Sequence, residues 1–296
     1  MKLYRAWLRR HLPPSLLRKV NNLSHLDDRL FDAETRRAHL ARVVLRERFP
    51  ALFADGEGDE FQVFSQNGED GILLGILAKM AGVSKNFVEI GVEDGLECNT
   101  AVLGFVLGWD GVMVEGEALR ASAARKLVAR MLVGRANRVE VRQAFVTAEN
   151  VEGIVGSGPL GVLSIDVDGM DYWLWEAVPD ETADVVVIEY NASMGRQRAV
   201  TVPYDAEFSA MQAHASGYYH GASLKALEKL GRAKGYSMVA VDAAGVNAFF
   251  VHDRVKPESL PAREATEIFR PHRMRLRNHS ESEQWEIISR MPYETV

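Results

Sequence analysis

From about residue 61 onward, short runs rich in Val and Ile alternate with segments of helical composition, and this alternation constrains the fold of the 296-residue chain more than any other feature. The runs are NFVEIG, GVMVEG, VEVRQAF, GVLSIDV and DVVVIEY, three of them closed by a glycine or an acidic residue. Between them lie ECNTAVLGFVLGW, EALRASAARKLVARML, TAENVEGIVG and MDYWLWEAV, each predicted to be a crossover helix. Strands that are apolar almost throughout belong to a sheet covered on both faces. Consecutive βα units then build a parallel, right-handed, doubly wound sheet. After an irregular stretch at 192–221 come a helix, ASLKALEKLGRAKG, and two further runs, YSMVAVDAAG and NAFFVHD, joined by a short turn. The prediction is an α/β fold with a seven-stranded sheet, five strands parallel and the last two an antiparallel hairpin.

The ends of the chain read differently. Residues 1–60 are predicted to be an N-terminal helical extension, 61–253 the sheet domain and 254–296 a charged C-terminal extension. The helix over 24–48 follows from Leu26, Leu30, Leu40, Val43 and Val44 at helical spacing, with Pro50 ending it and the polar turn ADGEGDE after it. The first twenty residues hold six Lys or Arg and no acid, although the whole chain has a formal charge of −6. Two readings of this basic arm stay open. It docks on the body or on a second subunit as an ordinary amphipathic helix, or it makes a peripheral contact with an anionic membrane face, where each cation is worth roughly 1 kcal/mol. No apolar run nears the roughly eighteen residues of a membrane span, and the start of the chain lacks the pattern of a secretory signal. The acidic balance argues against a nucleic-acid partner. A single cysteine, Cys98, excludes an internal disulfide framework and fits a cytoplasmic setting, with the inner membrane face as the peripheral option.

Ligands of open α/β sheets sit beyond the carboxyl ends of the strands. The first run ends in EIGVEDGLECNT, with Glu89 at the strand tip and Gly91 and Gly95 in the turn that follows. Such glycines either let the backbone pass close to a cofactor or serve as plain turn residues. The second run places Glu115 at its tip, about twenty residues on, where a carboxylate accepts hydrogen bonds from ribose hydroxyls. The turn lacks the third glycine of a pyrophosphate-binding motif, and Glu89 and Glu93 would repel a diphosphate. They would instead suit a cationic cofactor such as S-adenosylmethionine.

SQNGEDGIL at 65–73, FVEIGVEDGLECNT at 87–100, VEGE at 114–117, IDVDGMDYW at 165–173, VIEYN at 187–191, GASLKAL at 221–227 and NAFFV at 247–251 resemble, in order and spacing, the class I S-adenosylmethionine-dependent methyltransferases grouped with FkbM-type enzymes. The resemblance spans about residues 61–252. It implies that Glu89, Gly91 and Gly95 shape the methionine and ribose side of the cofactor and that Glu115 holds the ribose. It also implies that Ala144 and Phe145 lie along the adenine, and that Gln66 and Glu69 close over the cofactor. Glu69 also reads as a charge favouring a helix N-terminus. Glu93 stands where the family pattern has its middle glycine.

Methyl transfer to oxygen needs an aligned hydroxyl and a group that takes or weakens its proton. The fourth run ends SIDVDGMDYW, with Asp166, Asp168 and Asp171, and the fifth ends VIEYNAS, with Glu189 and Asn191. Hard oxygen ligands of this kind suit Mg²⁺, and the Asp-rich segment is similar to the metal loop of cation-dependent O-methyltransferases. That similarity implies Asp166, Glu189 and Asn191 as ligands. Asp166 and Asp168 are catalytic candidates, and His220 is the candidate base if no metal is used. Any of the aspartates could instead cap the next helix, and His220 could be structural. Tyr204, Tyr218, Tyr219, Trp173 and Trp175 offer an aromatic platform, with core packing the alternative for the two tryptophans.

The expected activity is an S-adenosylmethionine-dependent O-methyltransferase, Mg²⁺-assisted, acting on a hydroxyl of a glycan or glycosylated natural product. An NAD-type oxidoreductase on a similar sheet and a non-catalytic, membrane-docked binding module are the alternatives.

Overall fold

The computed structural model describes residues 60–296 together with Leu40 and Glu47. The basic arm and the helix expected over 24–48 lie outside the described residues, as does nearly all of the polar turn after them. No helix among the described residues is long and apolar enough to cross a membrane.

Seven strands form one sheet: β1 (Asn86–Ile90), β2 (Asp110–Glu115), β3 (Val139–Gln143), β4 (Leu160–Ile165), β5 (Ala183–Glu189), β7 (Tyr236–Val241) and β8 (Asn247–His252). Their order is β3-β2-β1-β4-β5-β8-β7. The first five pair in parallel, while β8 runs antiparallel to both β5 and β7. The last strand is thus inserted between the fifth and the seventh, and the expected hairpin closes one end of the sheet. The order reverses at β1 and β4, which places a ligand crevice beyond their carboxyl ends.

Burial on both faces explains the continuous apolar runs. Along β5 and β8, successive side chains alternate between two cores: Val186, Ile188 and Phe250 point into one, and Val185, Val187, Phe249 and Val251 into the other. One face is covered by α1 (Glu69–Leu77), α2 (Ala118–Met131) and the segment between β1 and β2. The opposite face is covered by α3 (Val151–Val155), α4 (Asp171–Ala177) and α6 (Leu224–Ala233), and Trp175 is fully buried there. Helix α5 (Ala210–Ala213) is a single turn within the irregular stretch.

Two crossovers are shorter than predicted. The segment after β1 becomes a π-helical turn, Leu103–Leu107, rather than a long α-helix. A Cβ at Gly104 would stand 2.9 Å from Val139 and 3.2 Å from the Phe87 ring, so the turn packs closely on the sheet. Between β3 and β4 only the five residues of α3 are helical, and Gly156 ends them.

Residues 254–296 pack on this body. They include α7 (Ala265–Ile268), α8 (Glu281–Ile288), which carries a Ser280–Glu283 capping box, and β9 (Glu294–Thr295), which pairs with β6 (Val200–Thr201). Tyr190 donates its hydroxyl proton to the Arg270 carbonyl at 2.7 Å, and Ser193 donates to Gln284 at 2.8 Å. Ile288 joins Met170, Met194, Val202 and Tyr219 in a small apolar cluster.

Candidate active site

Two cavities open at the carboxyl ends of the strands. The first, about 410 Å³, is walled by the tips of β1, β2, β3 and β4. The second, about 540 Å³, lies toward β5 and is lined largely by polar side chains. They share Gly91, Glu93, Asp166, Val167, Asp168 and Phe208 as a common wall.

Close backbone approach builds the first cavity. Gly91 sits at φ +91°, and a Cβ there would fall 1.6 Å from the Asp166 carbonyl oxygen, so the turn after β1 crosses the end of β4 at a place that admits no side chain. Glu93 takes φ +48°, the left-handed conformation that a glycine would adopt freely. Its N–H donates to Glu115 Oε2 at 2.8 Å, while its side chain reaches out to Arg120 at 2.8 Å. The departure from the glycine pattern thus preserves the backbone path. Glu115 also accepts the Glu117 N–H on Oε1 at 2.7 Å. A carboxylate has about four acceptor positions, so two backbone donors leave capacity for two hydroxyls. Ala144 and Phe145 line this cavity, and Phe145 is 63% exposed. Gly95 lines neither cavity, because at φ +84° it turns the chain against Ala124 and Leu127 of α2.

Glu89 reaches the second cavity, and three donors hold it: the N–H groups of Asn99 and Thr100, at 2.7 and 3.1 Å, and the Thr100 hydroxyl at 2.5 Å. Burial nevertheless pushes its carboxyl above the usual range. Cys98, buried beside this turn, is the small packed residue its position suggested. Gln66 and Glu69 stand on the opposite rim. Glu69 accepts from the Asn67 N–H at 2.7 Å and from Asn247 Nδ2 at 3.1 Å, tying the start of α1 to β8. The neighbouring Asp70 gathers the N–H groups of Val63, Phe64 and Ser65, each at 2.8 Å, and so folds the segment before α1 against the helix.

Asp166 and Asp168 on the shared wall and Glu189 in the second cavity each bring one carboxylate oxygen within 4.8 Å of the others. Burial raises the Asp166 carboxyl well above its ordinary range, and the charges bearing on it raise it further: Asp171, Asp168, Glu89 and Glu69, all carboxylates. Glu189 is raised for the same reasons, with Arg275 alone opposing. Asp171 does not cap the helix it opens, whose N-cap is Met170, but holds the loop between β4 and that helix. It accepts from the Val167 N–H at 2.9 Å and the Gly169 N–H at 3.1 Å, and burial moves its pKa to about 6. Asp168 adopts φ +57° in the loop so held, which turns it toward both cavities.

Asn191, expected among the metal ligands, is directed elsewhere. Its Nδ2 donates to the carbonyls of Tyr218 and His220, both at 2.7 Å, and its Oδ1 accepts from the Ser193 N–H and from Arg275. Both ends of the carboxamide are therefore spent on holding the loop after β5, and Asp168 completes the acidic cluster in its place. His220 lines the second cavity, yet its Nε2 lies 2.7 Å from Arg275 Nη2. A guanidinium only donates, so Nε2 must accept and is not free to act as a base. Burial and the neighbouring Arg275 push its pKa down to about 3. Arg275 itself was not expected from the sequence. The available signal was the basic run RPHRMRLR at 270–277, set in an otherwise acidic chain.

The aromatic residues divide. Trp175 is core, and Trp173 is part-buried with its indole N–H on the Val202 carbonyl at 2.9 Å. Tyr219 is buried, whereas Tyr204 lines the first cavity and bonds to Glu149 at 2.7 Å and the Ala148 N–H at 3.1 Å. Phe208 stands between the cavities with its ring against Gly169, where a Cβ would come within 2.5 Å of it.

No family model matches the chain, and no curated protein matches it either. The chain is similar, at low identity, to several solved structures. One is the N-terminal domain of EvdMO1 in the presence of SAH and D-fucose, at 13% identity over 71% of this chain and 95% of that one, with a TM-score of 0.40. The O-methyltransferase from Bacillus cereus in complex with SAH shares 17% identity over 71% and 87%, with a TM-score of 0.40. Cofactor-bound Rv0187 from MTB shares 19% over 73% and 90%, with a TM-score of 0.41. The fold is an open α/β sheet of five parallel strands closed by an antiparallel hairpin, with helices on both faces. Likeness at this level transfers no residue role, and the readings of the two cavities rest on their own geometry.

Proposed function

We propose that this chain is an S-adenosylmethionine-dependent O-methyltransferase, assisted by a divalent cation, that methylates a hydroxyl of a glycan or glycosylated natural product. One observation carries the reading: the cavity holding Glu115 and the cavity holding the acidic cluster meet along a shared wall at Gly91 and Asp166. A site for adenosine and a site for a reacting oxygen are thereby adjacent. In this reading Glu115 takes the ribose hydroxyls, Ala144 and Phe145 flank the adenine, and Glu89 and Gly91 border the methionine end.

The donor set fits a hard cation. Three carboxylates converge with further carboxylates around them, an arrangement that favours a divalent ion with oxygen ligands. When bound, such an ion would orient the acceptor oxygen and lower its pKa. The reaction forms an O–CH₃ bond, breaks the S–CH₃ bond of the sulfonium, and releases a thioether and the hydroxyl proton. Asp166, on the wall where the two cavities meet, is the carboxylate placed to receive that proton. The many polar side chains around the second cavity favour a polyhydroxylated acceptor over an apolar one.

The alternatives fit less well. An NAD-type fold would continue with a sixth parallel βα unit, whereas this sheet closes with a hairpin. A binding module without chemistry would bury its acids in side-chain pairs. Here Glu115 is bonded to backbone N–H groups and opens into a cavity.

Calorimetric titration with S-adenosylmethionine tests the cofactor half. Glu115→Ala should weaken binding by about 2 kcal/mol, roughly thirtyfold; unchanged micromolar affinity would sink the assignment. Incorporation of labelled methyl into a polysaccharide extract tests the chemistry. Activity surviving both a chelator and Asp166→Ala would remove the cation.

A further inference from the structure

Arg275 reaches the acidic cluster from far along the chain, and its contacts form a fork. Nη1 donates to Asn191 Oδ1 at 2.8 Å and to Ser193 Oγ at 2.9 Å, while Nη2 meets His220 Nε2 at 2.7 Å. The guanidinium carbon also lies 5.3 Å from the centre of the Tyr218 ring. All three hydrogen bonds join the C-terminal segment to the loops that follow β5. Because the fork is anchored on Asn191 and Ser193, its second nitrogen is held against the imidazole rather than left to swing.

The consequence falls on His220. A guanidinium nitrogen at hydrogen-bond distance carries hydrogens only, so Nε2 must present its lone pair and the single ring proton must reside on Nδ1. Nδ1 is buried and has no hydrogen-bond partner among the described residues. Glu189 Oε2 lies 3.7 Å from it, too far for a direct bond, and Glu189 lines the second cavity beside it. We propose that Arg275 is a positioning residue that locks His220 in the Nδ1–H tautomer, so that the imidazole offers a fixed donor, and no acceptor, to the Glu189 corner of the second cavity. Whatever oxygen occupies that corner is then received by one donor, His220, and one carboxylate, Glu189. A hydroxyl, which accepts and donates at once, satisfies both; an ammonium, which only donates, leaves the imidazole N–H unpaired.

The proposal rests on the methyltransferase reading for its purpose but not for its test, which needs neither cofactor nor turnover. Long-range ¹H–¹⁵N correlation spectra of the full-length labelled protein report the protonation of each imidazole nitrogen, and His220→Asn identifies the His220 signals by their loss. In the wild type, Nε2 of His220 should resonate as an unprotonated nitrogen and Nδ1 as a protonated one. Arg275→Met should abolish the unprotonated Nε2 signal in part or in full as the proton redistributes, with Arg275→Lys intermediate because an ammonium cannot reproduce the fork. A wild-type His220 protonated on Nε2 overturns the proposal, and so does a tautomer unchanged in Arg275→Met. If the Met variant does not fold, the wild-type spectrum and the Lys variant decide. Failure of S-adenosylmethionine to bind would remove the proposed activity and leave the tautomer as measured; a wrong tautomer with intact cofactor binding would do the reverse.

Discussion

The two cavities share a wall and differ in how the chain makes them. The first is local: Glu115, Glu93, Ala144 and Phe145 each sit at a strand tip or in the turn that follows it, and backbone N–H groups hold the key carboxylate. The second is assembled from afar, with Glu69 from α1, Glu189 from β5, His220 from an irregular loop and Arg275 from the C-terminal segment. The first therefore depends on main-chain geometry and the second on the balance of charge among distant side chains. Perturbations of backbone and of charge should separate them.

The largest effect is expected at their common wall. Gly91→Ala places a methyl 1.6 Å from the Asp166 carbonyl oxygen, so the β1 turn and the β4 end must part. Cofactor binding by calorimetry should be lost, and Mn²⁺ binding, followed by proton relaxation, should fall with it; retention of both would break the picture of one shared crossing. Asp166→Asn should act on one side only. It should lower Mn²⁺ affinity at least tenfold while the affinity for S-adenosylmethionine changes by less than threefold, about 0.6 kcal/mol.

A third test concerns Asp242, in the turn between β7 and β8, which accepts from the N–H groups of Val246 and Asn247. Burial, then the charge of Glu69, raises its pKa to about 7. A carboxyl whose folded pKa lies above its unfolded value of 3.8 stabilises the fold when protonated, and that contribution is lost as pH rises from about 4 through about 7. The unfolding free energy of the wild type should therefore fall across that window by about a few kcal/mol at most, and the thermal midpoint should fall with it. Asp242→Asn should flatten this part of the profile; an identical pH dependence in the variant would dismiss Asp242 as its source.

The smallest effect is expected at Glu93. Glu93→Gly relieves a left-handed backbone, worth roughly 1 kcal/mol, and removes an exposed pair with Arg120 worth about as little. Unfolding free energies from denaturant titration should stay within about 0.5 kcal/mol of wild type and cofactor affinity within a factor of two. A large loss would show that the Glu93 side chain, rather than its backbone, serves the cavity.

This contrast also separates what the sequence could reveal from what it could not. Strands, their order of appearance and the closing hairpin were legible because apolar runs such as DVVVIEY and NAFFVHD have one physical explanation, burial on both faces. Glu115 and Gly91 were legible for the same reason, since their place follows from where a strand ends. The acidic cluster was only half legible: Asp166 and Glu189 lie at strand tips, but whether Asn191 or Asp168 completes it depends on loop hydrogen bonds that consume Asn191. His220 could be noticed but not understood, because its role depends on Arg275, 55 residues away and reached only through tertiary packing. The long helix expected after β1 gave way to a π-helical turn for a related reason: Gly104 and Phe87 must touch, a contact no local pattern announces.

The position of Arg275 has a consequence for biosynthesis. Chains emerge from the ribosome N-terminal end first, at about 5–20 residues per second. Every strand of the main sheet, and with it all three carboxylates of the cluster, has been translated once His252 is added. Arg275 follows after a delay of roughly one to five seconds at those rates. A nascent chain thus carries the three carboxylates of the cluster before the guanidinium that faces them in the folded protein.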